Sequence, residues 1–182
     1  MSLLQNSNAI SSGEYTVNNS LRFRSSASAY LSRTPSVASN RKTWTWSGWV
    51  KRGTLGSIKG LFGVTSTLNP NYGYSNTYIW FEANDTFKIL GASSTIGAPV
   101  VESTTTAVFR DPSAWYHIVV AFDSTQSTAS NRVKLYVNGS QVTSFGTDNV
   151  SSLVTLNGDF GIDSSQSHYL GVHGQSLNTY LD

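Results

Sequence analysis

The sequence predicts an all-β fold, an antiparallel two-sheet β-sandwich of the jelly-roll kind, and three observations carry that expectation. The first is a strand rich in aromatic and β-branched residues at 115–122, followed by Val133-Lys134-Leu135-Tyr136-Val137, then Asn138-Gly139 and Ser140-Gln141-Val142. An Asn-Gly step between two such runs is the strongest short-range hairpin signal, because both turn positions tolerate a positive φ. The second is that short apolar runs recur every 8 to 15 residues or so, separated by Gly, Asn, Ser and Pro. The third is negative: nowhere do apolar residues recur at helical spacing for three turns.

Taken in order, residues 1–19 are polar and read as an N-terminal arm, leaving residues 20–182 for the sandwich. Leu21-Arg22-Phe23-Arg24 alternates and Ala29-Tyr30-Leu31 follows a small-residue turn, so this stretch is expected to form a first hairpin. Residues 34–39 read as a loop or one helical turn. Thr43-Trp44-Thr45-Trp46-Ser47-Gly48-Trp49-Val50-Lys51 reads as a strand with Trp44, Trp46 and Val50 on one face and Trp49 on the other, and tryptophan on both faces predicts a strand internal to a packed structure. Residues 60–64 form a further strand, and 69–76 a long turn-rich loop. Residues 78–82 and 86–90 flank Ala83-Asn84-Asp85 as a second hairpin. The Ser- and Thr-rich stretch 91–106 holds at most a weak strand around Val100, and residues 159–162 and 168–172 supply two more.

With 182 residues the chain suits one domain. Charged residues make up only 12%, about half the usual share, so the surface is dominated by hydroxyl and amide groups. Such a surface leans toward proteins that bind sugars or coat proteins by hydrogen bonding. The absence of cysteine excludes disulfides and thiolate metal sites. The first ten residues carry no basic stretch and no apolar run of signal-peptide length, and no window is long enough to insert in a membrane. The chain is therefore expected to be made in the cytoplasm of its host. Its net charge of +2 is uneven: up to Gly60, eight Lys and Arg stand against Glu14 alone, and the remainder is acidic. Arg22 and Arg24 alternate with Leu21 and Phe23, as the solvent side of a half-buried strand would, so nucleic acid is not the expected partner.

Beyond the fold, the residues from Asp111 through Trp115-Tyr116-His117-Ile118-Val119-Val120-Ala121-Phe122-Asp123, followed by Leu135-Tyr136-Val137-Asn138-Gly139, closely resemble the core motif of the laminin-G-like branch of the concanavalin A-like lectins. Thr45-Trp46-Ser47-Gly48-Trp49-Val50-Lys51 looks like that family's Trp-Val-Lys strand. The wording of residues 19–35 and 41–53 resembles the version found in tail-fibre and other structural proteins of tailed, often marine, phages. The resemblance implies a non-enzymatic virion protein, a tail-fibre component that attaches to a host-surface glycan and leaves the cell by lysis. Its partners would be other virion proteins and copies of itself, a trimer being favoured. A capsid decoration or head-fibre protein, and a glycan depolymerase, are the alternatives. The family's usual closing strand should begin where residues 177–182 stand, so the sandwich is expected to lack its last strand.

The site residues are weighed within that resemblance. Sugar binding in this fold uses aromatic platforms and amide donors at loop ends, which nominates Asn71, Tyr72, Tyr74 and Asn76. The five tryptophans lie in strands and are assigned to the core. Calcium is the metal the resemblance implies, with Asp85, Asp148, Asp159 and Asp163 as candidate ligands; each also suits a turn. No catalytic residue is nominated. The glutamates are Glu14, Glu82 and Glu102, and no paired cluster of the glycosidase kind appears among them. His117 is assigned to the core, and His168 and His173 to loops.

Overall fold

The structure, a computed structural model, describes residues 19–65, 76–92, 100–173 and 179–182. Its strands are β1 (Leu31–Arg33), β2 (Thr43–Lys51), β3 (Lys59–Thr65), β4 (Thr77–Phe81), β5 (Thr86–Ala92), β6 (Val100–Val108), β7 (Trp115–Asp123), β8 (Val133–Val137), β9 (Ser140–Gln141), β10 (Phe145–Asp148) and β11 (Ser167–Leu170). They form a seven-stranded sheet in the order β1-β11-β3-β4-β5-β6-β10 and a four-stranded sheet in the order β2-β7-β8-β9, antiparallel throughout. One helical turn, α1 (Val150–Leu153), follows β10. No helix among the described residues is long and apolar enough to cross a membrane.

The two-sheet sandwich follows from period-two alternation. Ile79, Phe81, Phe87, Ile89 and Val101 of the large sheet meet Trp44, Val50, Ile118, Val120, Phe122 and Leu135 of the small one in a single core. The Asn-Gly hairpin forms as expected: Asn138 and Gly139 both take positive φ, 50° and 81°, between β8 and β9. The hairpin through Ala83-Asn84-Asp85 also forms, with Asp85 at φ 69°.

Other expectations need correction. Residues 21–24 join no sheet; a 3-10 turn at Ser25–Ala27 and a left-handed Ser28 redirect the chain there, and the first strand, β1, pairs with β11 instead. The stretch around Val100 is a nine-residue strand, because its threonines and serines suit a ladder held on both sides by β5 and β10. Residues 159–162 form no strand; Phe160 and Ile162 reach the core from irregular backbone tied by Phe160 N–H to the Arg41 carbonyl and Gly161 N–H to Thr77 Oγ1. Among the described residues the tryptophan-rich β2 lies at the edge of the small sheet, and its Trp49 face is open rather than enclosed by packing. At the other end of the chain, residues 179–182 run beside the large sheet: Gly60 N–H donates to Thr179, Leu181 N–H to Gly171, and Gly53 N–H to Asp182.

Two glycines of β3 make room for a neighbouring segment. A Cβ on Gly60 would lie 2.1 Å from His173 N, and one on Gly63 would lie 2.0 Å from the His173 carbonyl oxygen. The backbone at 172–173 thus crosses the face of the large sheet that points away from the core.

Candidate ligand-binding face

The small sheet turns one face to the core and the other to solvent. Register places Lys51 beside Trp115, Trp49 beside His117, Ser47 beside Val119 and Tyr136, and Thr45 beside Ala121 and Lys134 on that solvent face. Trp49 is 55% exposed and Trp115 40%, against 9% or less for Trp44 and Trp80. Two exposed indoles on adjacent strands form an apolar strip on a polar surface. The row spans about 20 Å from Trp115 to Ala121 at ~3.3 Å per residue.

The strip is rigidly built. The Trp49 and His117 rings stack at 4.9 Å and 24°. Ser47 Oγ lies 3.1 Å from His117 Nε2, and His117 N–H donates to Asn138 Oδ1 at 2.8 Å, so the Asn-Gly turn fixes the backbone beneath the stack. Toward the other end the face opens into a cleft of about 480 Å³ lined by Thr43, Thr45, Asp123, Gln126, Asn131 and Lys134. Asp123 is itself held by Thr125 and Gln126, and those hydrogen bonds keep its carboxyl below the usual range. The arrangement offers flat apolar rings next to hydroxyl, amide, imidazole and ammonium groups. It is suited to a ligand with both a C–H face and many hydroxyls.

The solvent-side surface of the large sheet is different. Tyr78, Trp80 and Leu90 form a second buried cluster there, and His173 packs over it at 5.4 Å from Tyr78 and 5.0 Å from Trp80. Burial pushes the His173 imidazole down to about 4. Beside it, Lys88 Nζ sits 5.4 Å from the Trp80 ring and bridges Glu82 at 3.1 Å and Glu102 at 2.7 Å. Two carboxylates therefore do approach each other, which their separation in sequence hides. The Lys88 ammonium fills the space between them, where a scissile glycosidic oxygen would have to sit.

The nominated residues are scattered. Asn71, Tyr72 and Tyr74 lie outside the described residues, and Asn76 is fully buried. Asp85 is engaged by Arg52 at 2.9 Å, Arg110 at 3.0 Å and the Gly56 amide. Against the upward push of burial, those donors hold its carboxyl below the usual range. Asp148 accepts from Ser103 Oγ and Val150 N–H, Asp159 lies 3.9 Å from Arg41, and Asp163 occupies a left-handed turn. Among the described residues no three His, Asp or Glu side chains gather into a metal-sized group. The assignments of Trp49, Trp115 and His117 to the core are corrected: alternation places them on the face opposite Trp44, and among the described residues no second layer covers that face.

No curated protein matches the sequence. Among solved structures, the chain resembles the Ruminococcus gnavus IT-sialidase CBM40 bound to alpha2,3 sialyllactose, at 13% identity over 77% of this chain and 68% of that one, with a TM-score of 0.44. The same module bound to alpha2,6 sialyllactose gives 11% identity over 77% and 69%, with a TM-score of 0.43. The laminin-G model of the concanavalin A-like lectin/glucanases superfamily matches residues 23–181, and the chain belongs to that family.

Proposed function

We propose that this domain is a non-enzymatic glycan-binding module of a phage tail fibre, and that its glycan lies along the solvent face of the small sheet. The observation that carries the reading is the pair of exposed tryptophans, Trp49 and Trp115, on adjacent strands beside Ser47, His117 and Lys134. Sugar rings present C–H faces that stack on indole and hydroxyls that bond to such neighbours. A strip about 20 Å long suits an extended oligosaccharide better than a single sugar. The fibre setting rests on the phage-like wording of residues 19–35 and 41–53.

A glycan array probed with the protein and with Trp49→Ala and Trp115→Ala tests the assignment. Binding that both variants lose supports it; binding that neither variant changes refutes the face. An absence of glycan binding altogether favours a capsid decoration or head-fibre role, and labelling of the particle would then locate the chain. The depolymerase alternative draws on the approach of Glu82 and Glu102, and release of reducing sugar from host polysaccharide would revive it.

A further inference from the structure

Among the described residues each sheet has two edges, and three of the four belong to short strands. β1 has three residues, β10 four and β9 two, whereas β2 has nine in unbroken register with β7. Short edge strands offer little to a passing chain; a long straight one offers a row of unpaired backbone groups. Ser124 N–H donates to the Lys42 carbonyl, so the even-numbered residues of β2 bond to β7. The N–H and C=O groups of Thr43, Thr45, Ser47, Trp49 and Lys51 therefore point away from the sheet, and no backbone partner meets them among the described residues, although the Thr43 N–H donates to Asn40 Oδ1 at 3.2 Å. β2 carries neither proline nor bulge, and its one charge, Lys51, stands at its end.

We propose that two copies of the chain pair antiparallel through β2 about a two-fold axis at Ser47, joining their four-stranded sheets into one of eight. The sequence of β2 is self-complementary in that register. On the solvent face Ser47 meets Ser47, Thr45 meets Trp49 and Thr43 meets Lys51. On the core side Trp44 meets Val50, and Trp46 meets Gly48. The last match is the telling one. Trp46 is only partly buried, and its ring already lies over its own Gly48, where a Cβ would come within 3.3 Å of it. Because the residue opposite each Trp46 is a glycine with no Cβ, the two indoles, each lying over its own Gly48, can meet side by side across the axis. Within β2 no like charges face each other, because the two Lys51 side chains end up at opposite ends, about 27 Å apart at ~3.4 Å per residue; one step further the register sets Lys42 against Arg52, whose charge is already paired with Asp85. The contact is isologous and closes on itself, so it yields a dimer rather than a filament.

Sedimentation equilibrium of the intact chain over micromolar concentrations tests the proposal, with a dimer expected. Ser47→Lys and Ser47→Glu each place like charges directly opposite and should give monomers. An equimolar mixture of the two should restore the dimer, since only this register sets residue 47 against itself. Leu156→Lys, an equally charged change at an exposed site off the edge, should stay dimeric and shows that added charge alone is harmless. The chain has no cysteine, so Ser47→Cys under mild oxidation gives a second readout: a covalent dimer, which Thr45→Cys should not form. A monomer at every concentration, a trimer, or a dimer that survives both charge variants would overturn the proposal.

Discussion

Acidification should loosen the fold through His173 well before the carboxylates titrate. Its imidazole is buried against Tyr78 and Trp80, and burial lowers it from 6.5 to about 4. Between those values the unfolded chain binds a proton that the folded chain refuses, so stability is full above about pH 6.5 and falls as pH drops toward 4. At about 1.4 kcal/mol per pH unit, the loss over that window comes to about 3 kcal/mol. That is a large share of the 5–15 kcal/mol or so by which domains are stable. Urea unfolding at half-unit steps from pH 7.5 to 4.5, followed by tryptophan emission, measures it. His173→Phe keeps the ring and removes the titration, so the difference between wild type and variant isolates the histidine from Asp85, Asp111 and Asp123, whose carboxyls are held below their usual range. Parallel stability curves for the two proteins would show that His173 is protonated in the folded state and that the burial argument is wrong.

Other outcomes follow from single contacts. Trp49→Ala should weaken glycan binding about ten-fold, the value of one lost aromatic stack, while changing the unfolding midpoint little because the ring is exposed; titration calorimetry and thermal melts report the two effects separately. Asp85→Asn leaves Arg52, 1% exposed, without its counter-charge and should cost about 3–5 kcal/mol in urea unfolding. Arg110→Ala removes the exposed partner of the same aspartate and should cost no more than about 1 kcal/mol. Gly63→Ala drives a methyl group into the His173 carbonyl and should destabilise by about 1–3 kcal/mol, with near-ultraviolet circular dichroism showing displacement of the aromatic cluster.

Legibility in the sequence tracked how local the cause was. The Asn138-Gly139 turn and the hairpin through Asp85 are dictated within a few residues, and both formed as expected. Alternation correctly put Trp49 on the face opposite Trp44, but it says nothing about whether that face is covered. Coverage depends on which strands lie in the other layer, a long-range matter, and so the strand pattern alone assigns Trp49, Trp115 and His117 to the interior, whereas the structure sets them on the solvent face. The Lys88 bridge to Glu82 and Glu102 was hidden for the same reason: only the β4-β5-β6 register sets those three side chains together. β6 is weakly marked because, after Val101, its buried positions are Ser103 and Thr105, whose hydroxyls bond to Asp148 and the Ala107 carbonyl and so go inside without an apolar signature.

Of the five tryptophans two are exposed, two are buried and Trp46 is partly buried, and that division gives the protein an optical readout of its own. Trp49 and Trp115 face water and should emit at longer wavelength, open to collisional quenchers such as iodide; Trp44 and Trp80 are enclosed and should emit to the blue, untouched by them. A glycan seated along the small sheet would shield the first population and leave the second unchanged. Occupancy of the face can thus be followed in unlabelled protein as a shrinking quenchable fraction, and unfolding as its growth.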